Sequence, residues 1–459
     1  MKIAIDVADL DCERIDGTRV YIQNVLKYLG KLSPDDDFYL FHKGQYNKVL
    51  SPVKFENYRD RSIGKSFWWT QLKFARELRK LQKEKCGDKN LVCWMPIQQI
   101  PFLELSKVRS PRFIKVLFNR QNLKTPKKSR FSNSDPLYTG GGIKYVVTIH
   151  DLAFKFFPDH FPLIDKLKIN FYTDIAIKKA DKIIAISKST KKDIIKLYPR
   201  IDAGKIEVVH HGFDRENFRR EFNEKEVELF LRKYNLVQNV GDSKSLKFES
   251  KVHKVCKVES QQPAVVTSKK NRSNVTNRAD YLLYVGAIQP RKDLVTLIRS
   301  FEDLKRDEFG GHADLKLVLA GEVAWKSDST VEAVKTSEFT KDIIMTGRVS
   351  FKELALFYRF AKVFVFPSLY EGFGIPLLEA MTSKTPVVVA DNSSLGEVGG
   401  GAVLKFKSGD TEELTAQIKK LLDNEDLQQE MIERGLSRIE KFSWEKCANK
   451  TLKVIKSFK

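Results

Sequence analysis

The sequence predicts an α/β protein built from two doubly wound parallel sheets. Short apolar runs alternate with stretches whose apolar residues recur at i, i+3 and i+4, the pattern of βαβ units. The alternation starts twice, at Lys2 and again at Tyr281, and 459 residues are too many for one ordinary core. In the second half the runs are almost continuously apolar, as parallel strands buried on both faces must be.

Candidate strands in the first half are 2–6, 37–42, 90–94, 145–149, 182–186 and 206–210. Between them, 18–31, 66–84, 161–179 and 188–198 each carry one apolar face, which lays a helix on the sheet. Together they predict a domain over 1–213. In the second half, strands fall at 281–287, 315–321, 343–349, 363–368 and 386–391. Helices fall at 293–307, 328–339, 351–361, 375–383, 411–423 and 425–440, giving a second domain over 281–440. A last helix within 441–459 starts after Ser443, a good cap, and is expected to pack back toward the first domain. Residues 214–280 read as a linker with a basic, low-complexity insertion at 239–278, and 106–143 read as a long basic loop between N-domain strands.

A net charge of +22 first suggests nucleic acid or an anionic membrane. Residues 106–135 hold nine Lys/Arg against one acid and 239–278 hold nine against three, so these insertions account for +14. Neither carries a recognised nucleic-acid motif, and no nucleic-acid partner is expected. In 106–135, Phe113, Ile114, Val116, Leu117 and Phe118 lie among the cations. Attachment to an anionic leaflet and a solvated loop with no partner are both open readings. The five cysteines form no CxxC pair and no ligand spacing with the seven histidines, which argues against a zinc site or a disulfide framework. No apolar run approaches the roughly 18 residues of a membrane span. The expectation is a cytoplasmic protein, peripheral at the inner face of the membrane if the basic loop binds lipid.

The chemistry concentrates in Pro367-Ser-Leu-Tyr-Glu371-Gly-Phe-Gly-Ile-Pro376-Leu-Leu-Glu379. A buried strand ends at Ser368, a glycine loop follows, and Pro376 stands at the start of a helix. A helix N-terminus offers free N–H groups and a partial positive charge, a site for a phosphate. Glu371 and Glu379 would then face the crevice at the carboxyl ends of the strands and accept hydrogen bonds from sugar and ribose hydroxyls. A plainer reading is also open, in which both carboxylates complement the helix dipole and the glycines form a turn. Taken alone, Arg291-Lys292 reads more readily as a solvated basic loop, and His150-Asp151 as a loop cap.

Taken together, the blocks FPSLYEGFGIPLLEAM, TPVVVADNSSLGEV, LYVGAIQPRKDLVTLIRSF, VTIHDLAF and ADKIIAISKST resemble the family 4 glycosyltransferases of the GT-B fold, often grouped as glycosyl transferases group 1. The spacing Glu371-x7-Glu379 resembles that family's EX7E motif. The resemblance implies two Rossmann-like domains facing across a cleft, with the acceptor on the N-terminal one and a nucleotide-sugar donor on the other. It implies that Glu371 binds hydroxyls of the donor sugar, Glu379 the ribose, and the backbone of Gly372, Phe373, Gly374 and Ile375 the sugar and diphosphate oxygens. Arg291 and Lys292 would neutralise the leaving diphosphate, and His150 would reach the donor sugar. Gly17, in a glycine loop before the first helix, and Gly347 and Val349, at the end of the strand 343–349, complete the donor-binding positions that it implies. The implied reaction is a retaining, metal-independent hexosyl transfer without a cofactor. Mannose is the leading donor sugar, and the acceptor is a lipid-linked or polysaccharide hydroxyl in surface-glycan biosynthesis. A catalytically inactive relative that binds glycan or membrane as a scaffold is the alternative.

Overall fold

The computed structural model describes residues 1–13, 16–65, 69–84, 91–101, 142–236, 279–306 and 311–458. Nearly all of the two basic insertions, and the calls made on them, lie outside these residues. The chain divides into an N-terminal unit, Met1–Gly212 with Phe442–Lys459, and a C-terminal unit, Phe213–Lys441.

The N-terminal unit is built on seven strands: β1 (Lys2–Asp6), β2 (Asp37–His42), β3 (Tyr58–Ser62), β4 (Leu91–Met95), β5 (Ile143–Ile149), β6 (Lys182–Ala185) and β7 (Ile206–Val208). They lie in the order β3-β2-β1-β4-β5-β6-β7, and every neighbouring pair is parallel. β4 is buried along its whole length, and β1 from Ile3 onward, because helices cover both faces. The edge strand β3, YRDRS, is exposed over four of its five residues, and its polarity hid it from a search for apolar runs. Tyr58 ties it to the first helix, Gly17–Leu32: its hydroxyl donates to the carbonyl of Leu26 at 2.6 Å and accepts from the N–H of Gly30 at 3.0 Å.

The C-terminal unit repeats the plan with β8 (Tyr281–Val285), β9 (Lys316–Ala320), β10 (Ile343–Gly347), β11 (Val363–Phe366), β12 (Val387–Ala390) and the short β13 (Leu404–Phe406), in the order β10-β9-β8-β11-β12-β13. In each sheet the order reverses beside the first strand, between β1 and β4 and between β8 and β11. Open α/β sheets bind ligands at such a switch point, outside the carboxyl ends of the strands.

Two expectations change. Residues 214–236, read as part of a linker, form helices Arg215–Arg219 and Glu224–Lys233, capped by Asp214 and by an Asn223–Glu226 capping box. Val227, Phe230 and Leu231 follow helical spacing and are buried, with Phe230 edge-on to Phe357 at 4.7 Å. Polar residues around this stripe masked it. Gly17, expected in a loop, is the first residue of its helix, with Asp16 as the cap accepting from the N–H of Arg19.

The last helix, Trp444–Lys456, belongs to the N-terminal unit and lies against Gly17–Leu32. Ser443 caps it by accepting from the N–H of Lys446 at 3.1 Å. Gly212 is required where the chain meets it, because a Cβ there would stand 2.0 Å from the backbone nitrogen of Trp444. At the far end Lys456 and the terminal ammonium of Met1 each approach Asp36 to 2.6 Å. Although burial opposes it, their hydrogen bonds bring the Asp36 carboxyl down to about 2.

Candidate active site

In the C-terminal unit, the loops leaving β8 and β11 meet at the switch point. The first holds Arg291 and Lys292 in a single turn of 3-10 helix, ended by Asp293 at φ 51°. The second runs from Pro367 to Gly374 and leads into helix Ile375–Thr382. Lys292 forms an ion pair with Oε1 of Glu371, and Arg291 lies 3.4 Å from Oε2 of the same carboxylate while donating to the carbonyl of Tyr370. The three side chains keep only 10–13% of their exposure, so one carboxylate partly compensates two cations in a poorly solvated place. Burial would raise the Glu371 carboxyl, but Lys292 and Arg291 outweigh it and hold the group below the ordinary glutamate range.

The glycine loop takes its shape from a segment 21 to 24 residues away in sequence. Ser394 bonds the carbonyls of Glu371 and Phe373, both at 2.9 Å, the N–H of Glu371 donates to Ser393 at 2.9 Å, and Asn392 donates to the carbonyl of Ser368 at 2.9 Å. Asn392, Ser393 and Ser394 lie in the block TPVVVADNSSLGEV, and the resemblance implies no role for them. A polar cluster directly after a buried strand was the signal for them. Gly374, at φ 100°, turns the chain into the helix, where Pro376 has no N–H and the N–H of Leu377 donates to the carbonyl of Gly374 at 3.1 Å.

Glu379 lies one turn into that helix, where it accepts from the hydroxyl of Tyr358 at 2.9 Å. Burial and the nearby Asp214, against the Tyr358 bond, push its carboxyl up to about 7. Gly347 closes β10 at φ 64°, with Val349 just beyond it. Both stand at the carboxyl edge of the sheet, two strands from β8.

In the N-terminal unit, His150 follows β5 and its Nε2 lies 2.8 Å from the carbonyl of Pro96, the loop after β4. A carbonyl only accepts, so Nε2 carries the hydrogen and Nδ1 is left as an acceptor when the ring is neutral. Burial lowers the His150 pKa, with the Pro96 carbonyl and Asp151, Asp16 and Asp9 opposing it. Tyr21 packs edge-on to the ring at 5.1 Å and His211 stands 5.6 Å away. His211 escaped the sequence reading. It stacks on Tyr21 at 4.7 Å, and burial, with His150 and His210 beside it, lowers its pKa well below the ordinary value. Asp151 accepts from the N–H of Ala153 at 3.0 Å, a loop-capping bond.

Comparison with known proteins agrees with this architecture. Residues 266–438 match the family described as glycosyl transferases group 1, and 133–217 match glycosyltransferase family 4. O-antigen chain mannosyltransferase B of Escherichia coli is 34% identical over 176 residues, 38% of this chain and 45% of that protein. The chain spans about half the length of the curated relatives it matches. Among solved structures, a glycosyltransferase from Rickettsia africae superposes with a TM-score of 0.62 at 16% identity, covering 99% of this chain and 97% of that one. Anabaena HepE, solved in complex with UDP, also gives 0.62, at 12% identity and 99% coverage of both chains. With both sequence blocks matched by family models and two doubly wound parallel sheets of this order, the chain belongs to the family 4 glycosyltransferases and has the GT-B fold.

Proposed function

We propose that the protein transfers a sugar from a nucleoside-diphosphate sugar to a hydroxyl of a glycan or lipid-linked acceptor, with retention at the anomeric carbon and without a metal ion. One observation carries the reading: Arg291, Lys292 and Glu371 converge at the β8/β11 switch point, beside the helix N-terminus that Gly374 opens. Two fixed cations and the positive end of the helix dipole suit a departing diphosphate, whose charge grows as the anomeric C–O bond breaks. The bond's electron pair goes to the diphosphate oxygen. The acceptor oxygen joins the anomeric carbon on the same face, and its proton passes to that diphosphate. Glu371, released from its cations as the phosphates arrive, accepts hydrogen bonds from sugar hydroxyls. The proposed role of His150, accepting from a sugar hydroxyl, needs the neutral ring that burial favours. Mannose is the leading sugar, supported by the O-antigen mannosyltransferases among the relatives.

The test is release of nucleoside diphosphate from a panel of GDP-, UDP- and ADP-sugars, with chelator and with added divalent ion, and NMR of the product anomer. Release with chelator present and a retained anomer are expected; release from no sugar nucleotide would overturn the reading. Glu371→Gln should lower turnover about 10–150-fold, the value of one charge-assisted hydrogen bond in the transition state. Binding of the diphosphate alone should be kept or tightened, because a competing negative charge is gone. If Glu371→Gln turns over normally, the carboxylate does not touch the sugar.

A further inference from the structure

Helix Leu163–Lys179, which joins β5 to β6, buries Thr173, Ala176 and Ile177 against the sheet. Its first half presents the opposite pattern. Leu163, Ile164, Leu167 and Phe171 are 60%, 64%, 49% and 38% exposed, a continuous outward stripe at helical spacing. Apolar side chains scattered singly on a surface mean little, but four in one stripe leave a patch that water disfavours. The surroundings are basic: residues 153–200 hold eleven Lys/Arg against five Asp, a net +6. Lys168 lies on the stripe, Lys178 follows it, and Lys192 and Lys196 are exposed on the neighbouring helix Lys188–Leu197 beside the exposed Ile195. Tyr198, just after that helix, bonds Asp174, and Lys196 sits 5.7 Å over the ring of Phe156, so the two basic faces are held as one surface.

The geometry points to an anionic lipid surface as the partner of this face. Apolar side chains set among lysines match a leaflet edge, where the chains enter the acyl boundary and the cations meet the headgroups. A second copy of the chain fits less well. Four partly exposed side chains fall short of the roughly 800 Å² per partner that a stable dimer buries, and a symmetric pair would set lysine against lysine. The placement also has a consequence for access. The helix returns the chain to the amino end of β6, so its exposed first half lies toward the carboxyl ends of the strands, the same end as His150. A surface docked there would present acceptors near that end of the sheet. The inference concerns binding alone and stands whether or not the donor reading does, because its assay needs no turnover.

The experiment is co-sedimentation of the full chain with vesicles of phosphatidylcholine alone or with about 30 mol% phosphatidylglycerol, at low and high salt. The protein should bind the anionic vesicles, and salt should weaken binding. Leu167→Glu combined with Phe171→Glu should weaken it at least about tenfold, the scale of one buried apolar side chain. Lys168→Glu with Lys192→Glu should weaken it on anionic vesicles only. These side chains are exposed, so each variant should keep the parent melting temperature, which separates loss of docking from loss of fold. Unchanged binding by the Leu167/Phe171 variant overturns the proposal. So does equal binding to both vesicle types, binding that is lost only on deleting 106–135, or a solution dimer that the double glutamate variant dissolves.

Discussion

Glu379 is a carboxyl that the fold holds near half-protonation at neutral pH. Its pKa of about 7 reflects burial first, with Asp214 adding to it and the Tyr358 bond subtracting. An unfolded glutamate titrates at about 4.3, so between these values the folded chain binds the extra proton. Its contribution to stability is therefore complete below about 4.3 and is lost as pH rises through about 7. If ribose hydroxyls bind the ionised form, binding expels that proton. Nucleoside diphosphate affinity should then rise with pH between about 5.5 and 7.5, by at most about tenfold per unit, and level off above. Titration calorimetry in buffers of different ionisation enthalpy checks this against Glu379→Gln, in which the nucleotide's own ionisation remains and the protein's is gone. Identical pH profiles in the two proteins would remove Glu379 from the nucleotide.

The element that matters most is the turn between β11 and helix Ile375–Thr382. Gly374 sits at φ 100° and ψ 54°, and an added Cβ would meet Leu395 Cδ2 at 3.1 Å. Gly374→Ala should cost about 1–3 kcal/mol, the usual price of a strained backbone position. It should also re-aim the start of the helix, because the N–H of Leu377 donates to the carbonyl of Gly374. Chemical denaturation and nucleotide titration are expected to show both losses together. Parent-like affinity in a destabilised variant would mean that the phosphates do not use this terminus. Asn392, Ser393 and Ser394 act on the same loop from outside it, which makes the segment after β12 part of the site's scaffold.

At the scale of the whole molecule, the C-terminal segment completes the N-terminal unit. Trp444, Leu452, Val454 and Ile455 are buried in it. At about 1.5–3 kcal/mol for each large apolar side chain, the helix contributes an amount comparable with the total stability of a domain, about 5–15 kcal/mol. Truncation after Lys441 should therefore unfold the N-terminal unit while the C-terminal unit, whose residues 213–441 are all retained, keeps its fold. Limited proteolysis should then cut first within 1–212. Equal protection of both halves would show that the helix is dispensable.

What the sequence determined by itself was local. Buried parallel strands are apolar runs and helices on a sheet are 3.6-period stripes, so most elements of both sheets were legible, along with the loop that carries Glu371 and the helix that carries Glu379. The polar edge strand β3 and the three-residue β13 were not, because neither is a long apolar run and an edge strand needs only a neighbour to pair with. Arg291, Lys292 and Glu371 were each singled out, as cations for a phosphate and a carboxylate for a sugar. Their pairing across 79 positions was invisible, since no period links residues on different strands of a sheet. The tertiary structure alone decided that pairing, and it also set His211 beside His150 and folded 214–236 onto the C-terminal unit. Charge compensation and burial depend on which segments the topology brings together.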